Sequence, residues 1–331
     1  MTAPKHVTYA GELYDRTLGL FTGQVQMPGV ALRYLALPVE EVFWRQSRHR
    51  EFDASEYSLG SYLSTFERGS ASDLIGLPIF PSRAFRHGAI YVRADRGIEG
   101  PRDLEGRAVG TPEWTQTASL WVRGLLADRY GVDLRSVGWR LGGLHEPGRE
   151  EKTEVSPPAS FEVRRIDDDQ TLDGLLLGGD LDAVVSARPP RSFSSGNPLV
   201  RRLFPDYRQV EADYFRETGI FPIMHLVVLR AEVRDATPWL PGSLLRGFEH
   251  SRVLAIERLR DSTTQVSSLA WTAAYAEEEL AVLGDAFAHG VSGARVALDT
   301  FLRYAQDQGI TARRLDVDEL FCPSTYSMER V

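Results

Sequence analysis

A chain of 331 residues, 43% hydrophobic and 25% charged, is too long for one small core and has the balance of a water-soluble globular protein with two lobes or domains. Its formal charge of −8 argues against nucleic acid as a partner, although 38 lysines and arginines leave room for local positive sites. No run approaches the ~20 apolar residues that span a bilayer, so no membrane partner is expected. The opening stretch MTAPKHVTYAGELYDR has no apolar segment of the signal-peptide kind, and the expected location is the cytoplasm. The single cysteine, Cys322, permits neither an intrachain disulfide nor a cysteine metal cluster, and reads as a structural thiol.

Along the chain, short β-like runs alternate with helical patterns, which predicts α/β architecture. Val30–Leu37 reads as a strand, and Pro38 begins the turn into a helical Val39–Gln46. Phe52–Phe66 places Leu59, Tyr62, Leu63 and Phe66 at helical spacing. Ala89–Arg93 and Arg107–Gly110 read as strands, the latter followed by a helix with Ala118, Trp121, Val122 and Leu125 on one face. Gly142–Pro158 is a polar excursion, readable as a linker or as a flap within the second lobe. Thr171–Leu177 is a short helix, closed by Gly178–Gly179–Asp180 before a strand at Leu181–Ser186. Ala187–Asn197 is irregular, His225–Leu229 is β-like, and Leu244–Leu259 and Ser267–Leu283 are helical.

Two stretches carry most of the chemistry. Phe80–Val92 puts Arg83, Arg86 and His87 within five residues, between apolar segments. Arginine grips a carboxylate with two parallel hydrogen bonds, and two arginines in such a setting call for anions, either a ligand or an acidic ion-pair patch. Gly110–Leu126 runs from a β-like segment through Glu113, Trp114, Thr115, Gln116 and Thr117 into a helix. Thr115 or Thr117 can cap that helix, whose first amides suit an anion, and Trp114 can stack on an aromatic ring or pack in the core. Together they suit a small planar anion bearing carboxylates. His225, in PIMHLVVL, reads as a core histidine or as a second titratable group, and His145 as a flap contact. No HExxH, cysteine pair or closely spaced ligand set is present, so no metal is expected; a site assembled from distant residues such as His87, His225 and Glu113 stays open.

The segments FDASEYSLGSYL, PIFPSRAFRHGAIYV and GTPEWTQTASLWVRGLL resemble the 4,5-dihydroxyphthalate decarboxylases, over a span from about Tyr14 to Pro323. The resemblance implies the two-lobed fold of type 2 periplasmic solute-binding proteins, with mixed sheets and a ligand cleft between the lobes. Residues 1–92 and 225–331 would form lobe one, 106–210 lobe two, and 93–105 and 211–224 the crossings. It also implies that Arg16, Glu56 and Ser58 border the cleft beside Arg83, Arg86, Trp114, Thr115, Gln116 and Thr117.

The implied reaction is non-oxidative loss of CO2 from a dihydroxylated aromatic carboxylate, by protonation of the carboxyl-bearing ring carbon and without a cofactor. His87 is the first choice for the proton donor and His225 the second. Glu113 or Glu56 would act at the hydroxyl, while Arg83 and Arg86 hold carboxylate. The competing expectations are a solute-binding or sensory module of the same fold and a synthase or lyase on a cofactor-precursor pathway. The partner is a small aromatic carboxylate in the leading reading and an aromatic or other small carboxylate for the solute-binding module, and a homo-oligomer is compatible with the sequence.

Overall fold

The structure is a computed structural model and describes residues 3–67, 73–151 and 157–328. Among the described residues eleven strands form two mixed sheets. The first sheet has the order β2 (Val30–Ala36), β1 (Lys5–Gly11), β3 (Ala54–Ser58), β11 (Ile223–Arg230), β4 (Leu74–Arg83). The second has the order β10 (Val200–Arg202), β5 (Ile90–Arg93), β9 (Ala183–Val185), β6 (Ala108–Thr111), β7 (Gly138–Leu141), β8 (Glu162–Arg165). Parallel pairs dominate where helices cross over, as in β1 with β2 and β3, and β6 with β7 and β9. The late strand β11 enters the first sheet antiparallel between β3 and β4. Among the described residues no helix is long and apolar enough to cross a membrane.

The chain therefore leaves the first sheet after β4 and returns with β11. The expected first crossing at 93–105 is corrected: Ile90–Arg93 pairs with Ala183–Val185 and Val200–Arg202, so the change of sheet precedes it. The return falls between Arg202 and Ile223, a span that holds the helix Tyr207–Thr218 and overlaps the expected 211–224. Within Phe52–Phe66 the residues read at helical spacing, Leu59, Tyr62, Leu63 and Phe66, fall in one helix. The first part of the segment is strand β3 and its second the helix Leu59–Glu67, because the β-like ASEYS segment pairs with both β1 and β11. Strand β4 is not apparent in the sequence because Pro78 and Pro81 lie within it. It is an edge strand, where a missing amide donor is tolerated.

Helices α1 (Asp15–Phe21), α2 (Val39–His49) and α3 (Leu59–Glu67) accompany the first sheet, and α4 (Thr117–Tyr130) follows β6. The apolar face read for α4 is buried, and Trp121 stacks on Phe301 with ring centroids 5.1 Å apart while its indole donates to the Ile223 carbonyl at 2.9 Å. Each such fully buried large side chain contributes roughly 1.5–3 kcal/mol. The helix Arg295–Asp307 packs on α4. Gly124 permits this, since a Cβ there would meet the Tyr304 ring at 2.1 Å. One core thus runs through both sheets, joining Phe80 and Ile223 to Trp121, Trp139 and Phe301. Part of the polar excursion, residues 152–156, lies outside the described residues.

Candidate active site

A cavity of about 670 Å³ lies between the sheets, a size suited to a small ligand. Its second-sheet wall is built from the loops beyond the carboxyl ends of parallel strands: Pro112 and Glu113 after β6, His145 after β7, Ser186 and Arg188 after β9. This is where open α/β sheets place ligands, because crossover loops and helix N-termini converge there. The first-sheet wall supplies Ser58 at the end of β3, Phe43 of α2, and Met224 and His225 of β11.

Hydrogen bonds deep in the cleft join the walls. The Thr117 hydroxyl accepts from the Gly60 amide at 2.9 Å and shares a hydrogen bond of 3.0 Å with Ser58. The approach needs a glycine, since a Cβ on Gly60 would meet the Thr115 carbonyl oxygen at 2.4 Å. Neither threonine caps α4, contrary to expectation: Gln116 occupies the cap position without a side-chain cap bond, and Thr115 donates instead to Glu151 at 2.9 Å. The first α4 amides consequently have no side-chain acceptor at the cap, and Gln116, Thr117 and Ala118 line the cavity there. Unsatisfied N–H groups and the helix dipole make this end attractive to an anion.

His225 stands on the cavity wall where β11 is irregular: its register against β4 shifts on both sides of the residue. Such a bulge re-aims a side chain. Across the sheet His225 is opposite Ser58, so Glu56, two residues back on β3, lies diagonally on the same face. The imidazole Nδ1 is 2.6 Å from the Glu56 carboxylate, which is fully buried. A carboxylate on Nδ1 leaves Nε2 for whatever occupies the cavity.

Arg86 lines the same cavity beside Met224, its Nε 3.1 Å from the Met224 sulfur. No carboxylate of the described residues lies within ion-pairing distance of it. Burial pushes its pKa down to about 10, against the opposing charges of Glu211 and Tyr91. It remains a cation at neutral pH, held in a desolvated position that favours an incoming anion. On the facing wall Glu113 accepts two bonds from Arg149, at 2.9 and 2.5 Å. Arg188 pairs with Glu40 at 2.7 Å and Arg191 with Glu146 at 3.1 Å, both near the mouth.

Of the residues expected at the site, the structure gathers Ser58, Arg86, Glu113, Gln116, Thr117 and His225 on the cavity, with Glu56 directly behind His225. Others lie elsewhere. Arg16 is engaged by the Pro81 carbonyl and Asp15, and packs over the rings of Tyr14 and Phe287. Arg83 donates to the Ala288 carbonyl at 3.1 Å and faces a separate cavity with Phe85 and Phe221. Trp114 is fully buried, with Arg123 over its ring at 3.8 Å and its indole bonded to Gln308, so it has no face for a ligand. Thr115 is buried beside Glu151.

His87, the first choice for the proton donor, is boxed by Phe204, Tyr214 and Tyr130, with ring centroids 5.4, 5.3 and 6.1 Å away. Neither ring nitrogen has a hydrogen-bond partner, and burial, aided by the charge of Arg129, pushes its pKa down to about 4. It is neutral at pH 7 and absent from the cavity lining, which removes the basis for its role.

Sequence reasoning missed Arg149, Arg188 and Arg191. The available signal was position, since ARPPR directly follows a strand end, but its prolines made the stretch read only as irregular. Among the described residues no group of three or more His, Cys, Asp or Glu side chains is placed to hold a metal ion.

Comparisons with known proteins give the family and the fold. The chain is 37% identical over 313 residues to a 4,5-dihydroxyphthalate decarboxylase of Comamonas testosteroni, covering 94% of both chains. It is 41% identical over 203 residues to a 4,5-dihydroxyphthalate decarboxylase of Pseudomonas putida, covering 61% of this chain and 78% of that one. No family model matches. Among solved structures, the periplasmic aliphatic sulphonate binding protein SsuA from Escherichia coli has a TM-score of 0.51 at 12% identity, covering 97% of this chain and 92% of that one. The periplasmic sulfonate-binding protein SsuA from Methylobacillus flagellatus has a TM-score of 0.55 at 12% identity, covering 99% and 94%. The likeness to these structures establishes the two-lobed solute-binding fold.

Proposed function

The chain belongs to the 4,5-dihydroxyphthalate decarboxylase family, and from that premise we propose that the cavity between its sheets converts 4,5-dihydroxyphthalate to protocatechuate and CO2. The activity is that of a carbon–carbon lyase. Each carboxyl-bearing carbon of the substrate is para to a hydroxyl, and this makes the chemistry accessible. When the hydroxyl loses its proton and the carboxyl-bearing carbon gains one, a dienone forms. The carbon–carbon bond then breaks, its electron pair returns to the ring, aromaticity is restored, and the oxygen takes back a proton.

Each step has a side chain on the cavity wall. Arg86 and the first amides of α4 hold the carboxylate that is retained. His225, with Glu56 on Nδ1, delivers the proton from Nε2 to the ring carbon. Glu113, held by Arg149, accepts the hydroxyl proton and later returns it. The observation that carries the reading is the conjunction of an imidazole backed by a carboxylate and a guanidinium with no carboxylate partner among the described residues, on one wall of a cleft sized for a benzene dicarboxylate. A cytoplasmic location belongs to the same proposal and is checked by cell fractionation.

The test is incubation of the protein with 4,5-dihydroxyphthalate in D2O, following CO2 and protocatechuate. The expected product carries one deuterium at the carbon that lost CO2. Binding without turnover would contradict decarboxylation and leave a solute-binding module of the same fold.

A further inference from the structure

We infer that Glu56 and Tyr14 are positioning residues that set the charge of the His225 ring in opposite senses, Glu56 favouring the protonated ring and Tyr14 tempering it, and that both act on the reaction only through His225. This rests on the reading of His225 as proton donor.

The geometry is a single buried carboxylate facing three groups from two stretches of chain, Glu12–Tyr14 and strand β11. Glu56 Oε1 accepts from the Tyr14 hydroxyl at 2.8 Å and faces His225 Nδ1 at 2.6 Å, while Oε2 accepts from the Glu12 amide at 3.0 Å. Glu56 has no measurable exposure, and among the described residues no lysine or arginine is within ion-pairing distance of it. A buried carboxylate without a cation is costly, and the partner able to become one is the imidazole. Folding thus places a charge that favours imidazolium directly behind the cavity wall.

Tyr14 competes for the same oxygen. Burial, followed by the charge of Glu56, pushes its phenol well above the usual range, so it remains a donor throughout the working pH. By donating to Oε1 it withdraws part of the negative charge that His225 would otherwise feel.

The surroundings keep this balance simple. On the Glu56 side, Tyr9 and Tyr34 stay protonated because burial pushes both phenols up, and Glu12 and Arg16 are the nearby charges. Phe43 of α2 meets the His225 ring edge-on at 4.9 Å, and Ser82 is its β4 neighbour. In the cavity, Arg86 adds a fixed positive charge beside His225. The opposite wall presents His145 and the ion pairs Glu113–Arg149, Glu40–Arg188 and Glu146–Arg191.

The experiment is the pH dependence of kcat for Glu56→Gln, Tyr14→Phe and the parent, with KM measured alongside. A general acid must be protonated, so activity is lost as pH rises. Removing the Glu56 charge makes the ring lose its proton earlier, and the alkaline limb moves to lower pH by about 1–2 units with KM little changed. Removing the Tyr14 hydroxyl moves the limb to higher pH. Loosening of the site by either change would move both limbs the same way or raise KM, and either result overturns the inference.

Adding Glu56→Gln to His225→Gln should cost nothing further, and an undiminished extra loss there would also overturn it. The single variant His225→Gln decides separately whether this imidazole is the donor at all. If Glu56→Gln fails to fold, Tyr14→Phe decides alone: an unmoved or acid-shifted limb overturns the inference.

Discussion

Two regions of this molecule hold the same pair of side chains in different physical states. On the cleft wall, Arg86 and His225 face a cavity, one without a carboxylate partner among the described residues and the other backed by Glu56. Arg83 and His87 are buried and do not line it. Arg83 is lowered to about 9 by burial, with the charge of Arg252 adding to the effect, and His87 is lowered to about 4 in its aromatic box. Residue type alone therefore does not make an acid or an anchor. The role of acid is proposed for the histidine that has a carboxylate on one ring nitrogen and an open cavity at the other. Wrapped in rings with neither nitrogen bonded, the same imidazole is a neutral packing element.

The contrast breaks most visibly in turnover. His225→Gln should lower kcat by roughly 10²–10⁴, the range for a lost acid–base group, while His87→Gln leaves it close to parental. Steady-state rates of CO2 release check this, and the reverse pattern would return the donor role to His87. The arginines come next. Arg86→Ala should raise KM by roughly 10–100-fold, as expected for loss of a charge-assisted hydrogen-bonded pair worth about 1.5–3 kcal/mol. Arg86→Lys should fall between, keeping charge but not the planar grip. Arg83→Lys should leave KM near the parental value, and a matching rise there would place the anchor in the wrong region.

The smallest effect is on stability. An imidazole held near pKa 4 in the folded protein binds its proton near 6.5 when unfolded. Unfolding therefore takes up a proton between those values, and this group lowers stability as pH falls from about 6.5 to 4, by on the order of 2–3 kcal/mol. Glu211, whose Oε1 is 3.9 Å from His87 Nδ1, is pushed up to about 7 by burial and works in the opposite sense. The parent's own pH profile therefore mixes the two. The difference between His87→Phe and the parent isolates the histidine: the variant's Tm advantage should grow as pH drops from 7 to 4. A constant difference would mean that His87 already has a proton partner.

Legibility in the sequence divides along the same physical line. Helix α4 was legible because Ala118, Trp121, Val122 and Leu125 repeat at helical spacing, and that face is buried. The alternation of strands and helices also announced an α/β protein. Strand β4 was hidden by Pro78 and Pro81, which only an edge position tolerates. Arg83, Arg86 and His87 are neighbours in sequence, yet β4 ends at Arg83 and a short 3₁₀ turn begins at His87, so the chain aims the three apart. No local pattern records that turn of direction. Glu56 and His225 are separated by 169 residues and meet only because β11 inserts beside β3, a pairing that periodicity cannot express. The mouth arginines were hidden for the opposite reason, since their loop has no regular pattern at all.

The proposed mechanism depends on the aromatic dicarboxylate sitting between Arg86, the N-terminus of α4 and His225. A crystal structure of the protein with phthalate, which keeps both carboxylates but lacks the hydroxyls needed to form the dienone, shows that placement directly. The expected result is one carboxylate on Arg86 and the first α4 amides, with His225 Nε2 facing the ring carbon that bears the other. Phthalate bound beside Arg83 in the cavity lined by Phe85 and Phe221, with the cleft vacant, would contradict it.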